Sequence, residues 1–296
     1  MARRVTVQSV LYANSPRDVR RAAEAAFNTL ERATAAGVID GWDYRLGDCA
    51  PTPTLSDDTV AAISADAEAA GGRSDVEYFG ANLGSAAGHN RLAAKSTADV
   101  LLFLNPDAQM APDTVELLVR ALRPDVGVVE ARQVPLDHPK EYAPTTGDTS
   151  WASTACAVTP RELFERVGGF DAATFFLYGD DVDYSWRVRL EGLRVLFEPA
   201  AAVFHDKRLL IDSGWPVSPA EQYYSAEASL LIAHKYSNPE RVEHLLSLFE
   251  SSDAEFLQRA WRAFEARRAA GELPEPIDPQ HTVARFIGDH YAQHRF

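Results

Sequence analysis

The chain has 296 residues and a formal net charge of −14, long enough for one large α/β domain, alone or with an appendage. That acidic balance excludes nucleic acid as a partner, because no basic footprint is there to neutralise a phosphate backbone. The two cysteines, Cys49 and Cys156, lack metal-type spacing, which excludes a disulfide framework or structural zinc and fits a reducing cytoplasm.

The opening Met1-Ala2-Arg3-Arg4 is basic, but Val5 to Leu11 is too short and polar for the apolar core of a signal peptide. No run approaches the roughly 20 apolar residues that span a bilayer. The expectation is a soluble cytoplasmic protein, with peripheral contact at the inner face of the cell membrane left open. Val5, Val7, Val10 and Leu11 alternate as a strand does. Ser15, Pro16 and Asp18 then carry the signals of a helix start, and Ala22, Ala26, Phe27, Leu30 and Ala33 recur at helical spacing up to Gly37. A second strand is expected at Trp42 to Leu46, a helix from about Ser56 to Ala70, and a third strand at Val76 to Phe79. Asp99 to Leu104 is apolar on both faces, the pattern of a central strand covered by two layers. Strands alternating with helices predict a largely parallel sheet.

Beyond it, Pro112 opens a helix carrying Val115, Leu118, Val119 and Leu122, and Val126 to Arg132 is a further strand. The polar stretch Gln133 to Ser150 is a long loop and a candidate lid. Thr159-Pro160-Arg161-Glu162 has the form of a capping box, and Gly168-Gly169 ends the short helix it would start. Another helix is expected at Tyr184 to Glu191. From about Ser218 the pattern turns helical, with segments near Ala226 to His234 and Ala254 to Ala269.

Three groups of residues point to chemistry. Asn105-Pro106-Asp107 follows the buried strand, where ligands of parallel sheets bind. A short carboxylate there can hold a hard divalent cation, although Asn-Pro also simply initiates turns. Asp180-Asp181-Val182-Asp183 is the densest carboxylate cluster in the chain; such groups can supply a general base or merely cap a helix. His205 follows a short apolar run and reads as a metal ligand or a structural histidine. Asn82 to Asn90 looks like a phosphate loop but lacks both the dinucleotide and P-loop spacings, so its glycines predict only close backbone approach to a nucleotide. His281, His290 and His294 have no acid nearby and read as surface residues.

Taken in order, Asn82-x-Gly84, Asn90, Asn105-Pro106-Asp107, Gly168-Gly169-Phe170-Asp171, Asp180-Asp181-x-Asp183, Arg187, Gly192 and His205 resemble the inverting glycosyltransferases of family 2, and within them the rhamnosyltransferase-like branch. The resemblance covers about Val5 to Arg208. It implies an α/β fold of the GT-A nucleotide-diphospho-sugar transferase type, a Rossmann-like mixed sheet flanked by helices. Residues 1–210 would form that domain, with 1–107 the nucleotide-binding half and 108–210 the acceptor half, and 211–296 a helical C-terminal extension. By the same resemblance Asp181 is the catalytic base, and Asp107 and His205 hold a divalent cation, Mn2+ or Mg2+. Tyr12, Asn14, Asp48, Asn82, Gly84, Asn90, Asn105 and Asp107 contact the nucleotide sugar, and Trp151, Tyr178 and Asp180 contact the acceptor.

The sequence departs from the family in Tyr12-Ala13-Asn14, in the shortened Asp48-Cys49-Ala50-Pro51-Thr52, in Asp180 where a glutamate is usual, and in Tyr223-Tyr224 where Arg-Asn is common. Implied donors are dTDP-rhamnose first, then a UDP-sugar or GDP-mannose. The implied acceptor is a hydroxyl of a glycan, glycolipid or secondary metabolite, and the C-terminal helices are a candidate homodimer interface. The alternatives are a non-catalytic nucleotide-sugar-binding protein of the same fold and a glycoside hydrolase built on Asp180 or Asp181.

Overall fold

The computed structural model describes residues 3–137, 141–205 and 217–291. In the first half, β1 (Arg3–Leu11), α1 (Pro16–Ala35), β2 (Ile39–Asp48), α2 (Asp57–Ala69), β3 (Arg73–Tyr78), α3 (Gly84–Ala93) and β4 (Val100–Leu104) alternate along the chain. Because helices make the crossovers, the strands run parallel in the order β3-β2-β1-β4. Every residue of β4 is buried, as expected of a strand apolar on both faces. Ser56 caps α2 by accepting from the Thr59 amide, whereas the Ser15 side chain makes no cap bond and Pro16 alone marks the start of α1.

The stretch 82–90, whose glycines were read only as allowing close backbone approach to a nucleotide, is mostly helix. Gly84 and Gly88 are poor helix formers and concealed α3. Gly88 is required by packing, since a Cβ there would stand 2.9 Å from both Val10 methyls of β1.

The second half adds β5 (Ala108–Met110), α4 (Thr114–Ala121), β6 (Val126–Val134), β7 (Cys156–Pro160), α5 (Arg161–Arg166), α6 (Asp180–Leu190) and β8 (Arg194–His205). The sheet continues β4-β7-β6-β8-β5, with β7 antiparallel to both neighbours and β5 antiparallel to β8. It is therefore mixed, as the resemblance implies, and the parallel pairing read from the alternation of the first half is found there. The expected capping box at Thr159 does not form. Thr159 lies in β7, with its hydroxyl donating to the Gly127 carbonyl at 2.8 Å and 2.7 Å from the Tyr184 hydroxyl. Pro160 takes the cap position with no side-chain bond.

Of the expected lid, Gln133 and Val134 belong to β6, residues 138–140 lie outside the described residues, and Tyr142 and Asp148 bridge to Thr149 and Leu196.

Three further helices follow: α7 (Pro219–Lys235), α8 (Pro239–Glu250) and α9 (Glu255–Ala270). The sequence pattern had not marked α8, which Asn238 caps by accepting from the Arg241 amide. These helices share one buried core with Trp151, Phe175, Val182 and Trp186 of the preceding domain. A separate core fills the space between the sheet and α1, α2 and α4. The expected boundary at 210/211 falls in 206–216, outside the described residues. His294 is outside them as well.

Candidate active site

A cavity of about 820 Å³ opens beyond the carboxyl ends of β1 and β4, where parallel sheets place their ligands. Tyr12 and Asn14 reach it from the end of β1, Asn82 and Gly84 from the start of α3, and Asn105 and Asp107 from the turn after β4. The remaining wall comes from the 176–178 stretch, Asp180, Asp181, His205 and the first turns of α7.

At one end, the Ala108 amide donates to the Asn105 carbonyl at 3.0 Å and closes the Asn105-Pro106-Asp107 turn. β5 then pairs with β8 so that Ala108 stands opposite His205. This register brings His205 Nε2 to 3.4 Å from Asp107 Oδ1 and 3.4 Å from the Asn105 side-chain nitrogen. His205 Nδ1 is 2.9 Å from Oε1 of Gln133, a residue only 1% exposed in β6. A carbonyl oxygen can only accept, so Nδ1 carries the proton and the lone pair of Nε2 faces Asp107. That tautomer is the one a metal-ligating histidine needs, and a second-shell acceptor commonly fixes it.

One carboxylate and one imidazole nitrogen side by side fit Mn2+ or Mg2+ bound jointly with substrate phosphate oxygens. No group of three or more His, Cys, Asp or Glu side chains suited to a metal occurs among the described residues.

At the other end, Tyr178 (φ 64°) and Gly179 (φ 76°) both take the left-handed conformation, turning the chain sharply into α6. A Cβ at Gly179 would stand 2.8 Å from the Ala228 Cβ, so only glycine allows α7 this close. The turn delivers Asp180 and Asp181, 4% and 3% exposed, to the cavity wall in the first helical turn. Asp181 Oδ1 accepts from the Val182 amide at 2.9 Å. The Asp181 carbonyl accepts from Ser185 Oγ, which in turn accepts from the Ala152 amide.

Asp183 is absent from the cavity lining. It is fully buried, 2.8 Å from Arg187 Nε and 2.6 Å from Lys235 Nζ, and accepts from the Tyr236 hydroxyl at 3.1 Å. Its structural role rests on these ion pairs, not on the helix dipole alone.

Three of the residues assigned by resemblance stand apart from the cavity lining. The Asp48 carboxylate is taken up by its own loop, accepting from the Ala50 and Thr54 amides and the Thr54 hydroxyl. The Asn90 amide pairs with both backbone groups of Phe170 and pins the Gly168-Gly169-Phe170 turn to α3. Trp151 is packed in the core shared with α7 to α9. His281 and His290 do not line the cavity either.

Sequence reasoning missed Gln133 and Glu221, and marked Tyr224 only as a departure from the family pattern. Gln133 gave no signal, being one polar residue at the edge of a polar stretch. His89, also in the lining, is a buried neutral histidine: burial lowers its pKa to about 3, and it packs edge-on to Phe103.

Known proteins resemble this chain. The family model described as Glycosyl transferase family 2 matches residues 55–183. By this match, residues 55–183 resemble a family 2 glycosyl transferase domain. Over 148 residues it is 27% identical to the O-antigen biosynthesis protein RfbC of Myxococcus xanthus, matching 40% of this chain and 12% of that protein. Over 176 residues it is 26% identical to an N-acetylglucosaminyl-diphospho-decaprenol L-rhamnosyltransferase of Mycobacterium tuberculosis, matching 43% of this chain and 57% of the relative. The chain thus spans less than two thirds of the length of either curated relative.

Among solved structures, a mannosyltransferase from Pyrobaculum calidifontis, in complex with GDP-Man and Mn2+, superposes with a TM-score of 0.56. That match covers 96% of this chain and 84% of the other at 17% identity. The chain has the GT-A fold, with its mixed sheet flanked by helices and C-terminal helices added.

Proposed function

We propose that this protein transfers a sugar from a nucleoside-diphosphate donor to an acceptor hydroxyl, with divalent-metal dependence and inversion at the anomeric carbon. The observation that carries the reading is one cavity holding the Asp107–His205 pair and, on a separate wall, the buried Asp180–Asp181 pair. A non-catalytic binding role would leave Asp181 without a task, and glycoside hydrolysis would leave Asp107 and His205 without one.

The donor's diphosphate would lie at Asp107 and His205. Mn2+ or Mg2+, when bound there, stabilises the negative charge that develops on the departing diphosphate oxygens. Asn105 donates to Nε2 of His205 while that nitrogen carries no metal, and Gln133 holds the ring in the ligating tautomer. The acceptor oxygen forms its bond to the anomeric carbon as the bond to the diphosphate oxygen breaks, and the electron pair leaves with the nucleotide. Asp181 takes the hydroxyl proton late in this displacement. Tyr12, Asn14, Asn82 and Gly84 would border the nucleoside end. Likeness to the rhamnosyltransferase supports dTDP-rhamnose as the first donor to try, then UDP-sugars and GDP-mannose. No helix among the described residues is long and apolar enough to cross a membrane, which fits a cytoplasmic enzyme working on soluble or membrane-surface acceptors.

A thermal-shift panel of UDP, dTDP and GDP, each with and without Mn2+, tests the reading. A ligand at 100 times its Kd stabilises the folded state by about 2.7 kcal/mol. One nucleotide should raise the melting temperature only with metal, and Asp107→Ala should abolish that rise without lowering the apo melting temperature. A panel with no response, or one equally strong without metal, contradicts the reading.

A further inference from the structure

At the end of the cavity assigned above to the nucleoside, two side-chain amides are held by their own turns. Beyond β1 the backbone bends at Ala13, which takes the left-handed conformation at φ 52°. Asn14 closes this bend, its Oδ1 accepting from the Tyr12 amide at 2.8 Å. Ahead of α3 the same device recurs, with Asn82 Oδ1 accepting from the Gly84 amide at 3.1 Å. This second turn is also held from the far side. The Phe176 carbonyl accepts from the Ser85 amide at 3.0 Å and crowds Gly84 so closely that no Cβ would fit there. Asn14, Asn82, Gly84 and Ser85 all line the cavity.

A backbone N–H can only donate, so each of these bonds must end on the amide oxygen of the asparagine. Both Oδ1 atoms are therefore turned into the fold, and the Nδ2 group of each side chain is left to donate to a ligand. No further hydrogen bond to either side chain occurs among the described residues. The neighbouring carboxylate is already committed. Asp48 stands opposite Leu11 at the end of the β1–β2 pairing and is 1% exposed. Its Oδ1 accepts from the Ala50 amide and the Thr54 hydroxyl, and its Oδ2 from the Thr54 amide. What the two asparagine turns present to a nucleobase is thus N–H donors.

Nucleobases differ in what they return to a donor. Uracil and thymine carry a carbonyl oxygen at C4, and guanine carries one at C6. Cytosine and adenine carry an amino group at those same positions. A wall N–H meets an acceptor in the first set and another donor in the second, which leaves both groups unpaired in a partly desolvated space. An oxygen and an amino group are close in size, so shape alone separates them poorly, whereas an unmatched hydrogen-bonding group is rejected strongly.

We infer that Asn14 and Asn82 select the base of the donor nucleotide, taking bases that carry a carbonyl where cytosine and adenine carry an amino group. The inference rests on the transferase reading for the presence of a nucleotide. It narrows the donor to a uridine, thymidine or guanosine diphosphate sugar, and rejection of the amino bases comes from donor facing donor as much as from pairing with the carbonyl bases.

The test is Mn2+-dependent binding to the full chain, titrated by thermal shift with UDP against CDP and GDP against ADP. Of whichever pair binds, the carbonyl member should bind about ten-fold more tightly or better. Asn14→Asp and Asn82→Asp keep the oxygen that closes each turn and replace the donors by an acceptor. The added charge weakens every nucleoside diphosphate, so the ratio within a pair is what is read. At least one of the two variants should move that ratio about ten-fold towards the amino base. Asn14→Ser and Asn82→Ser remove Nδ2 and serve if an aspartate variant does not fold; they should bring the ratio towards one.

An amino base that binds the wild type within about ten-fold of its carbonyl partner, or a ratio unchanged by substitution at both positions, overturns the inference and leaves the transferase reading intact. No response to any of the four nucleotides contradicts that reading and overturns the inference with it.

Discussion

Gln133 decides which nitrogen of His205 faces Asp107. Its Oε1 accepts from Nδ1 while its side-chain nitrogen lies 3.4 Å from Ser153 Oγ, so the amide is oriented from both ends. Gln133→Leu keeps the volume and loses the acceptor. It should weaken Mn2+ affinity by about 10- to 100-fold, the usual cost of losing such a partner, as read from Mn2+ titrations of nucleotide binding. His89 makes a separate prediction. Burial holds its pKa down at about 3, whereas the unfolded chain takes up that proton near pH 6.5. Between these values the unfolded state binds more protons, so folding stability falls as pH drops below about 6.5, at up to about 1.4 kcal/mol per pH unit. Urea unfolding of His89→Gln should show a shallower decline between pH 6.5 and 4 than the wild type. Asp107 and Asp181 were legible in sequence because a strand-end turn and a carboxylate cluster are local patterns. Gln133 and Glu221 were not, because their places at the site come from strand pairing and from helix packing across the domain.

At the scale of elements, α6 and α7 are bound to each other by buried charge. Lys235, near the end of α7, lies 2.6 Å from Asp183 and 2.7 Å from Asp171. Burial raises the pKa of Asp171, but hydrogen bonds from Lys235 and Thr174 outweigh it and hold the group below its ordinary value. A depressed carboxylate stabilises the fold above its unfolded pKa, and this contribution is lost as pH falls through the folded one. Lys235→Met would leave the buried Asp183 and the half-buried Asp171 short of a cation. Removing one partner of a buried pair costs about 3–5 kcal/mol; Arg187 still pairs with Asp183, so the loss should fall near the lower figure. Chemical denaturation at pH 7 checks it, and a loss below about 1 kcal/mol would show that the bridge holds little. The long elements of the first half were readable from period and caps. Short β5 and β7 were not, since three and five residues carry no clear period and Thr159-Pro160 imitates a helix start. Glycines concealed α3 because Gly84 and Gly88 serve packing at the cost of helix propensity.

Across the whole molecule, two cores meet at the site. One lies between the sheet and helices α1, α2 and α4, and ends at the turn carrying Asp107. The other joins α6 to α7–α9 and thereby places Asp181, Glu221 and Tyr224 around the same cavity. The C-terminal helices were read from sequence as an appended extension; the first of them, α7, lends Ala220, Glu221 and Tyr224 to the cavity wall. The central claim is that Asp181 removes the acceptor proton while Asp107 and His205 serve the donor. The most direct measurement is steady-state release of nucleoside diphosphate in the presence of acceptor, comparing wild type, Asp181→Asn and Asp180→Asn. Asp181→Asn keeps size and hydrogen bonding but cannot take a proton. It should lower turnover by roughly two to four orders of magnitude while metal-dependent nucleotide affinity stays at the wild-type level. Near-normal turnover in Asp181→Asn, with the loss appearing in Asp180→Asn, would contradict the assignment and move the base one residue along α6.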